Sequence, residues 1–500
     1  KRRGYKSIVK RDVTRIITPG TLVEEEHLES TSHNFLFTYT EIANVGCAVW
    51  LDLSTGSIFL KSINKDSLPD LINEIKPSEI VFPERIPYNS FFEKYTEAPR
   101  ITFFSNSSFF EDNRLDEFIE GFDEGDFSAS EISSISSLIA YCFETNSALA
   151  MNFAIPIRIS KHEFVEMDVS TRRNLELSRS VQGEKKDTLF NVINDTVTGL
   201  GSRLLENWLN YPLVKISEID SRLNNVEALF ENFHALETIR NLLRGIPDIE
   251  RALTRLQLNR GGPRDLNYIK IGLLKSKEIH GVLVEHNFLE MLVNSTINDL
   301  ENELEILDCS IEDNPPLNVK DGNFIKPQCS VELDENRLLQ KSSRADIAHM
   351  QTQLIKKTGI NSLKIKFNNN LGYFIETPSG HSKKILSAEY SHLFIHRQST
   401  ANSTRFTTHE LLNLESKILN ARDLCLKIEI EKFEDLRSKV FSCREKIKML
   451  CTFIAELDVF CSLSYFAKMN RWIKPEITEG REFIIKNGRH PIVERSLRLD

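Results

Sequence analysis

The chain has 500 residues, room for about three or four domains of ordinary size, and its 40% hydrophobic and 27% charged content is ordinary for a soluble globular protein. The net charge is −9, no apolar run reads as the ~18–20 residues that would span a bilayer, and no apolar h-region follows the basic start KRRGYKSIVKR. The eight cysteines are never closer than eight residues, which excludes CxxC-type zinc or redox spacing and suits buried thiols in a cytoplasmic protein. A first residue that is Lys1 and a last stretch reading RSLRLD are expected of an internal piece of a longer protein.

From about residue 12 to 125 the texture is α/β. NFLFTYT and VGCAVWLDLSTGSIFL are β-rich runs, and the polar EIAN between them reads as a hairpin. SLPDLINEIK reads as a helix with Pro69 near its start, and EIVFP and RITFF as two further strands, so a small, largely wrapped sheet is expected. From about 130 to 325 the pattern turns helical. ISSISSLIAYCFETN, GSRLLENWLNYPL and SEIDSRLNNVEALFENFHALETIRNLL carry apolar residues at three-to-four spacing, with Pro and Gly at the joints NYPLV, RGIPDIE and NRGGPRD.

The third region has no glycine between Gly380 and Gly480 and no proline between Pro378 and Pro475. Within it, Leu411, Leu414, Ile418, Ala421, Cys425 and Ile428 keep helical spacing. After a phase shift the pattern resumes at Phe433, Leu436, Val440, Cys443, Ile447, Leu450, Ile454 and Leu457. One continuous helix of about 60 residues, about 90 Å long, is expected over 407–466. ELDENRLLQKSSRADIAHMQTQLIKK at 332–357 is its expected antiparallel partner. Between them lies a short β-rich head, so the predicted object is a stalk with a head at its far end.

Charge separates the head from the rest. Residues 351–406 hold eight Lys and Arg against Glu376 and Glu389, in a chain that is acidic overall. A positive tip on a negative body implies a polyanionic partner. The Asn, Ser, Thr and Gln of SGHSKK and RQSTANSTRF suit phosphate contact without sequence choice, and the scarcity of stacking aromatics favours duplex over single strand. In SLKIKFNNNLGYFIE at 362–376, alternation buries Leu363, Ile365 and Phe367 and turns Lys364 and Lys366 outward. Asn368, Asn369 and Asn370 then form a fingertip for phosphate. Lys383, Lys384, Arg397, Asn402 and Arg405 form a second contact set.

These segments together resemble the MutS family of bacterial mismatch-repair proteins over essentially the whole chain. The resemblance is carried by VKRDVTRIITPGTL (9–22), WLDLSTGSIF (50–59), MDVSTRRNLEL (167–177), VTGLGSRLLENWLNYPL (197–213) and IPDIERALTRLQLNRGGPRDL (246–266). It continues through LKIKFNNNLGYFIE with RFTTHEL (405–411) and ends at KNGRHPIVE (486–494). It implies a multidomain α+β, mainly α fold. Residues 1–11 would be the tail of a mismatch-binding domain, and 12–148 an RNase H-like α/β connector. A helical core with long antiparallel levers would take 160–346 and 407–475, a β-rich clamp 347–406, and the start of an ATPase domain 476–500.

By the same resemblance, the parent protein is a homodimeric clamp on double-stranded DNA that uses ATP and Mg and meets a MutL-like partner through its connector. It would be cytoplasmic and nucleoid-associated, with no membrane partner. The family's Phe-x-Glu wedge is expected upstream of Lys1 and its nucleotide site downstream of Asp500. No G-x-x-x-x-G-K-[ST] occurs, so no catalytic, cofactor-binding or metal residue is expected in the chain itself. The family often carries a basic residue near the place of Ala401 here.

Other chemistry is weaker. His409-Glu410 lacks the second histidine of HExxH, with Asn413 in its place, and reads as a helix start. Asp52 on a central strand is a lone acid where two-metal nuclease chemistry needs several. GRHP at 488–491 reads as a strand–turn boundary or as help for a neighbouring nucleotide domain. Arg172, Arg173, Arg203 and Arg264 read mainly as structural ion pairs. The competing function is a long-helix scaffold that docks proteins without DNA; a connector nuclease is a third.

Overall fold

The computed structural model describes residues 13, 15–83, 99–105, 115–119, 121–146, 153–160, 162–181, 185–288, 291, 296–368, 371–387 and 389–499. They fall into two compact units, Lys1–Glu305 with Lys439–Asp500, and Ile306–Ser438. The chain is a multidomain α+β protein, mainly helical.

The larger unit contains a six-stranded sheet of β1 (Phe35–Ile42), β2 (Val45–Asp52), β3 (Ser57–Ser62), β4 (Glu79–Pro83), β5 (Arg100–Phe104) and β6 (Ile157–Arg158), in the order β5-β4-β1-β2-β3-β6. The β1–β2 turn is the two-residue Ala43-Asn44, both at positive φ (50° and 66°), the mirror-image turn whose twist suits a hairpin. Strand alternation divides the apolar residues between two faces. Leu36, Val49, Leu51 and Leu60 pack with Ile135, Leu138 and Cys142 of the helix Ala129–Thr145, while Phe37, Trp50 and Phe82 pack with Leu71 and Ile72 of Leu68–Ile75. The sheet is thus wrapped on both sides, as expected.

Around it the larger unit is helical, built on Arg444–Asn470, which packs with Gly199–Asn210, Ile216–Glu231 and Phe233–Leu243. This helix is long and apolar enough to cross a membrane, contrary to the sequence expectation that no such run exists. Its apolar side chains are used in helix packing: Leu450, Ile454, Leu457 and Val459 are buried. Buried Asp458 accepts from Val197 N (3.0 Å), Thr198 N (2.8 Å) and Thr198 Oγ1 (2.7 Å), which ties the start of Gly199–Asn210 to the central helix. A Cβ at Gly201 would collide with that carboxylate, so the crossing requires glycine there.

Of the four arginines, Arg203 is buried and donates to Asp248 (2.7 Å), Glu250 (2.8 Å) and Ser30 O (2.8 Å), and Arg172 pairs with Glu74 at 3.3 Å. Arg264 is exposed, with no acidic partner within 4 Å among the described residues, because it points outward at the start of Pro263–Glu285. The Arg173 side chain lies outside the described residues.

In the smaller unit the helix Val331–Thr358 is close to the expected 332–357. Its expected partner is not one helix but two, His409–Ser442 and Arg444–Asn470, interrupted at Cys443 (φ −107°, ψ 16°). Ser442 Oγ donates to Lys439 O (2.7 Å) and Cys443 Sγ to Val440 O (3.3 Å), so consecutive side chains compete for carbonyls of the preceding turn. The antiparallel pairing of Val331–Thr358 with His409–Ser442 is present. Arg337 donates to Glu429 (2.7 Å) and Gln340 to Cys425 Sγ (3.2 Å), while further along Leu354 and Leu411 share one cluster. Between these contacts the seam is thin, since none of the described side chains at 341–350 is buried.

Candidate nucleic-acid interface

The head is a four-stranded antiparallel sheet of β7 (Lys364–Asn368), β8 (Gly372–Pro378), β9 (Ile395–Ser399) and β10 (Ser403–Thr407), in the order β7-β8-β10-β9. Its inner face presents Ile365, Tyr373, Ile375 and Phe406 to Met350, Leu354 and Ile355 of the helix Val331–Thr358. The expected alternation holds for Leu363, which is buried, and for Ile365, which packs against this core. It fails for Phe367, which is 49% exposed beside Tyr373 (ring centroids 5.0 Å apart) and is not part of this core.

The direction of the hairpin also differs from the expected fingertip. Val331–Thr358 runs past the sheet, Gln351 Oε1 accepts from Ile365 N (2.7 Å), and β7 then runs back toward the stalk. The start of β8 therefore lies beside the returning helix, where Tyr373 N donates to Glu415 Oε1 (3.1 Å). Gly372 makes this approach possible: its φ is +70° and a Cβ would collide with the Glu415 carboxylate. Asn368 Oδ1 accepts from Leu371 N (2.7 Å) and so closes the turn. Asn369 and Asn370 lie outside the described residues.

The far end of the head is made by other segments. Tyr390 Oη donates to Lys357 O (3.3 Å), Lys384 Nζ lies by Gly359, and Ser379 N donates to Asn402 O (3.2 Å). These contacts gather the helix end carrying Lys356 and Lys357, the short helical turn carrying Lys383 and Lys384, and the β9–β10 turn with Asn402. Lys356, Lys357, Lys383, Lys384 and Asn402 are exposed, and none of the lysines has an acidic partner within 4 Å among the described residues. Lys356 and Lys357 belong to the basic segment 351–406, but nothing local in the sequence marks them as contacts; their place depends on the helix overrunning the sheet. Arg397 is exposed on edge strand β9 at the register shift between Arg405 and Phe406, a bulge that leaves it unpaired and turns it outward.

The outer face of the sheet bears a second, different set. Lys364, Glu376, Arg405 and Gln398 form one row across the four strands. Lys366, diagonal to Glu376, makes an ion pair with it, and Arg405 Nε lies 3.5 Å from its other oxygen. Arg405 also donates to Gln398 (2.9 Å) and lies over the Phe374 ring. The predicted contacts therefore separate into unpaired distal cations and a face whose cations already hold a carboxylate. Lys366, followed by the rest of this cluster, holds the Glu376 carboxyl below the usual carboxylate range.

The other sequence candidates are structural. Asp52 is fully buried and accepts from His33 Nδ1 (2.8 Å), Asn34 N (3.2 Å), Ser54 N (2.9 Å) and Ser54 Oγ (2.7 Å). No group of three metal-ligating side chains occurs among the described residues. His409 opens its helix, as expected. GRHP leads into a helix rather than a strand, its Pro491 being the first residue of Pro491–Leu499; Arg489 donates to Asn470 O (2.7 Å) and Glu494 (2.9 Å).

The family model for MutS domain III matches residues 170–464, and that for MutS domain II matches residues 34–154. The chain is 38% identical over its whole length to a DNA mismatch repair protein MutS of Roseobacter denitrificans, of which it covers 58%. It is 37% identical over its whole length to that of Ruegeria sp. (58% covered), and 36% identical over 99% of its length to that of Rickettsia typhi (57% covered). The chain thus spans a little over half the length of these relatives.

Proposed function

Because the chain belongs to the MutS family, we propose that it serves DNA mismatch repair by holding the backbone of double-stranded DNA with the far end of its head. The observation that carries this reading is the cluster Lys356, Lys357, Lys383 and Lys384, exposed and without an acidic partner among the described residues, at the end of the head of an acidic chain. In this reading the sheet and its flanking loops are the clamp, and the helices Val331–Thr358 and His409–Ser442 are levers that carry signals between DNA and an ATPase domain. The sheet order and the antiparallel β1–β2–β3 meander support the RNase H-like connector. That connector is the proposed seat of a MutL-like partner, in a protein that works as a homodimer.

The family implies ATP and Mg. The described residues do not fit them: the chain has no G-x-x-x-x-G-K-[ST], and the acids Asp52, Asp248 and Asp458 are bound to His33, Arg203 and Thr198. No nucleotide step is assigned to these residues.

The test is titration of the chain with random-sequence duplex DNA at low and high salt. Salt-sensitive binding that is lost in Lys383→Glu/Lys384→Glu is expected. Absence of salt-sensitive binding would refute the reading and favour the protein-docking scaffold.

A further inference from the structure

We infer that Glu376 is a built-in competitor for phosphate: its carboxylate holds Lys366 and Arg405 on the outer face of the head, so that these cations reach DNA only when it is displaced. The inference rests on the duplex-binding reading above and adds a residue that opposes binding. Three cations surround one carboxylate. Lys364 and Arg405 stand directly across from Glu376 on the two neighbouring strands, and Lys366 pairs with it from the diagonal position. Directly opposed and diagonal residues on one sheet face lie within side-chain reach of each other.

The site has the charge and hydrogen-bonding pattern that a backbone phosphate would find, with a carboxylate already in it. Arg405 is held ready by two contacts besides Glu376, the Gln398 amide oxygen at 2.9 Å and the Phe374 ring at 4.8 Å. A guanidinium so oriented suits an incoming oxyanion. Glu376 is only partly buried, so its pairs are open to displacement by a polyanion and to screening by salt. The distal lysines have no such partner among the described residues. The head thus combines cations that engage at once with cations that engage only on close approach, when a phosphate replaces the carboxylate.

The experiment measures duplex binding by fluorescence anisotropy over a salt series. It uses the whole chain as wild type, as Glu376→Gln, as Lys366→Gln/Arg405→Gln, and with all three changes. Glu376→Gln is expected to tighten binding about three- to tenfold at low salt and to steepen the log–log salt slope by about one to two, the increment for one or two further phosphate contacts. In the Lys366→Gln/Arg405→Gln background the same change is expected to alter affinity less than about twofold. Unaltered affinity and slope in Glu376→Gln would overturn the inference alone, as would a gain that persists undiminished without Lys366 and Arg405, since that gain would be long-range charge only. Wild type without salt-sensitive binding would overturn the clamp reading and this inference with it. Glu376→Asp, which keeps the charge but shortens its reach, provides a second variant and should give a smaller gain of the same sign.

Discussion

Replacing Asp52 by asparagine tests whether this central acid is structural. Burial by itself would raise the Asp52 carboxyl, but the hydrogen bond from His33, with Arg251 and Ser54 nearby, brings it down to about 2 from the ordinary 3.8. That difference corresponds to about 2 kcal/mol of folding stability at neutral pH. The folded value is the depressed one, so the contribution is complete above the unfolded value of 3.8 and is lost as pH falls through about 2. Asparagine loses the charge and also turns an NH2 toward a cage of donors from His33, Asn34 and Ser54, leaving at least one buried donor unsatisfied and bringing the total to about 3 kcal/mol.

Trp50 is 1% exposed and lies in the same strand, two residues away, so its fluorescence reports this sheet. Urea unfolding in a Trp208→Phe/Trp472→Phe background, at several pH values, should show Asp52→Asn less stable by this amount from pH 8 to 5. The deficit should shrink below pH 4. An unchanged urea midpoint, or a deficit that does not shrink in acid, would refute the reasoning. Magnesium-dependent cleavage of duplex DNA that vanished in Asp52→Asn would instead restore the nuclease reading.

Lys383→Glu/Lys384→Glu should weaken duplex binding about tenfold or more at low salt and flatten the log–log slope by about two, measured by anisotropy. Gly372→Ala should destabilise the head by about 1–2 kcal/mol or more, because φ +70° and the Glu415 carboxylate both oppose a side chain; selective loss of protection in β7 and β8 on hydrogen exchange would report it. Gly201→Ala should lower the stability of the larger unit by driving a methyl into the Asp458 carboxylate, read as an earlier thermal transition. In wild type, amides around 341–350 should exchange before those of 354–358 and of the head sheet, since none of the described mid-helix side chains is buried.

Much of this protein is legible in its sequence, because the relevant signals are local. Strand alternation and turn chemistry place β1, β4, β5 and the run that divides into β2 and β3, and periodicity places Val331–Thr358 to within a residue and Ala129–Thr145 to within three. The basic character of 351–406 in an acidic chain is likewise a property of the sequence alone. Tertiary structure decided the rest. Whether a helix stops at the sheet or runs past it depends on where Leu354 and Ile355 find apolar partners, and that choice sends the start of β8 back toward Glu415 and the lysines of 356–357 and 383–384 outward. At the break, Ser442 and Cys443 bond to the preceding turn, while the apolar spacing Val440, Cys443, Ile447 continues across it and gives no sign of the interruption. The pairing of Lys366 and Arg405 with Glu376 depends on the register of three strands. Charge is written residue by residue, but which charges are already satisfied is settled only when distant segments meet.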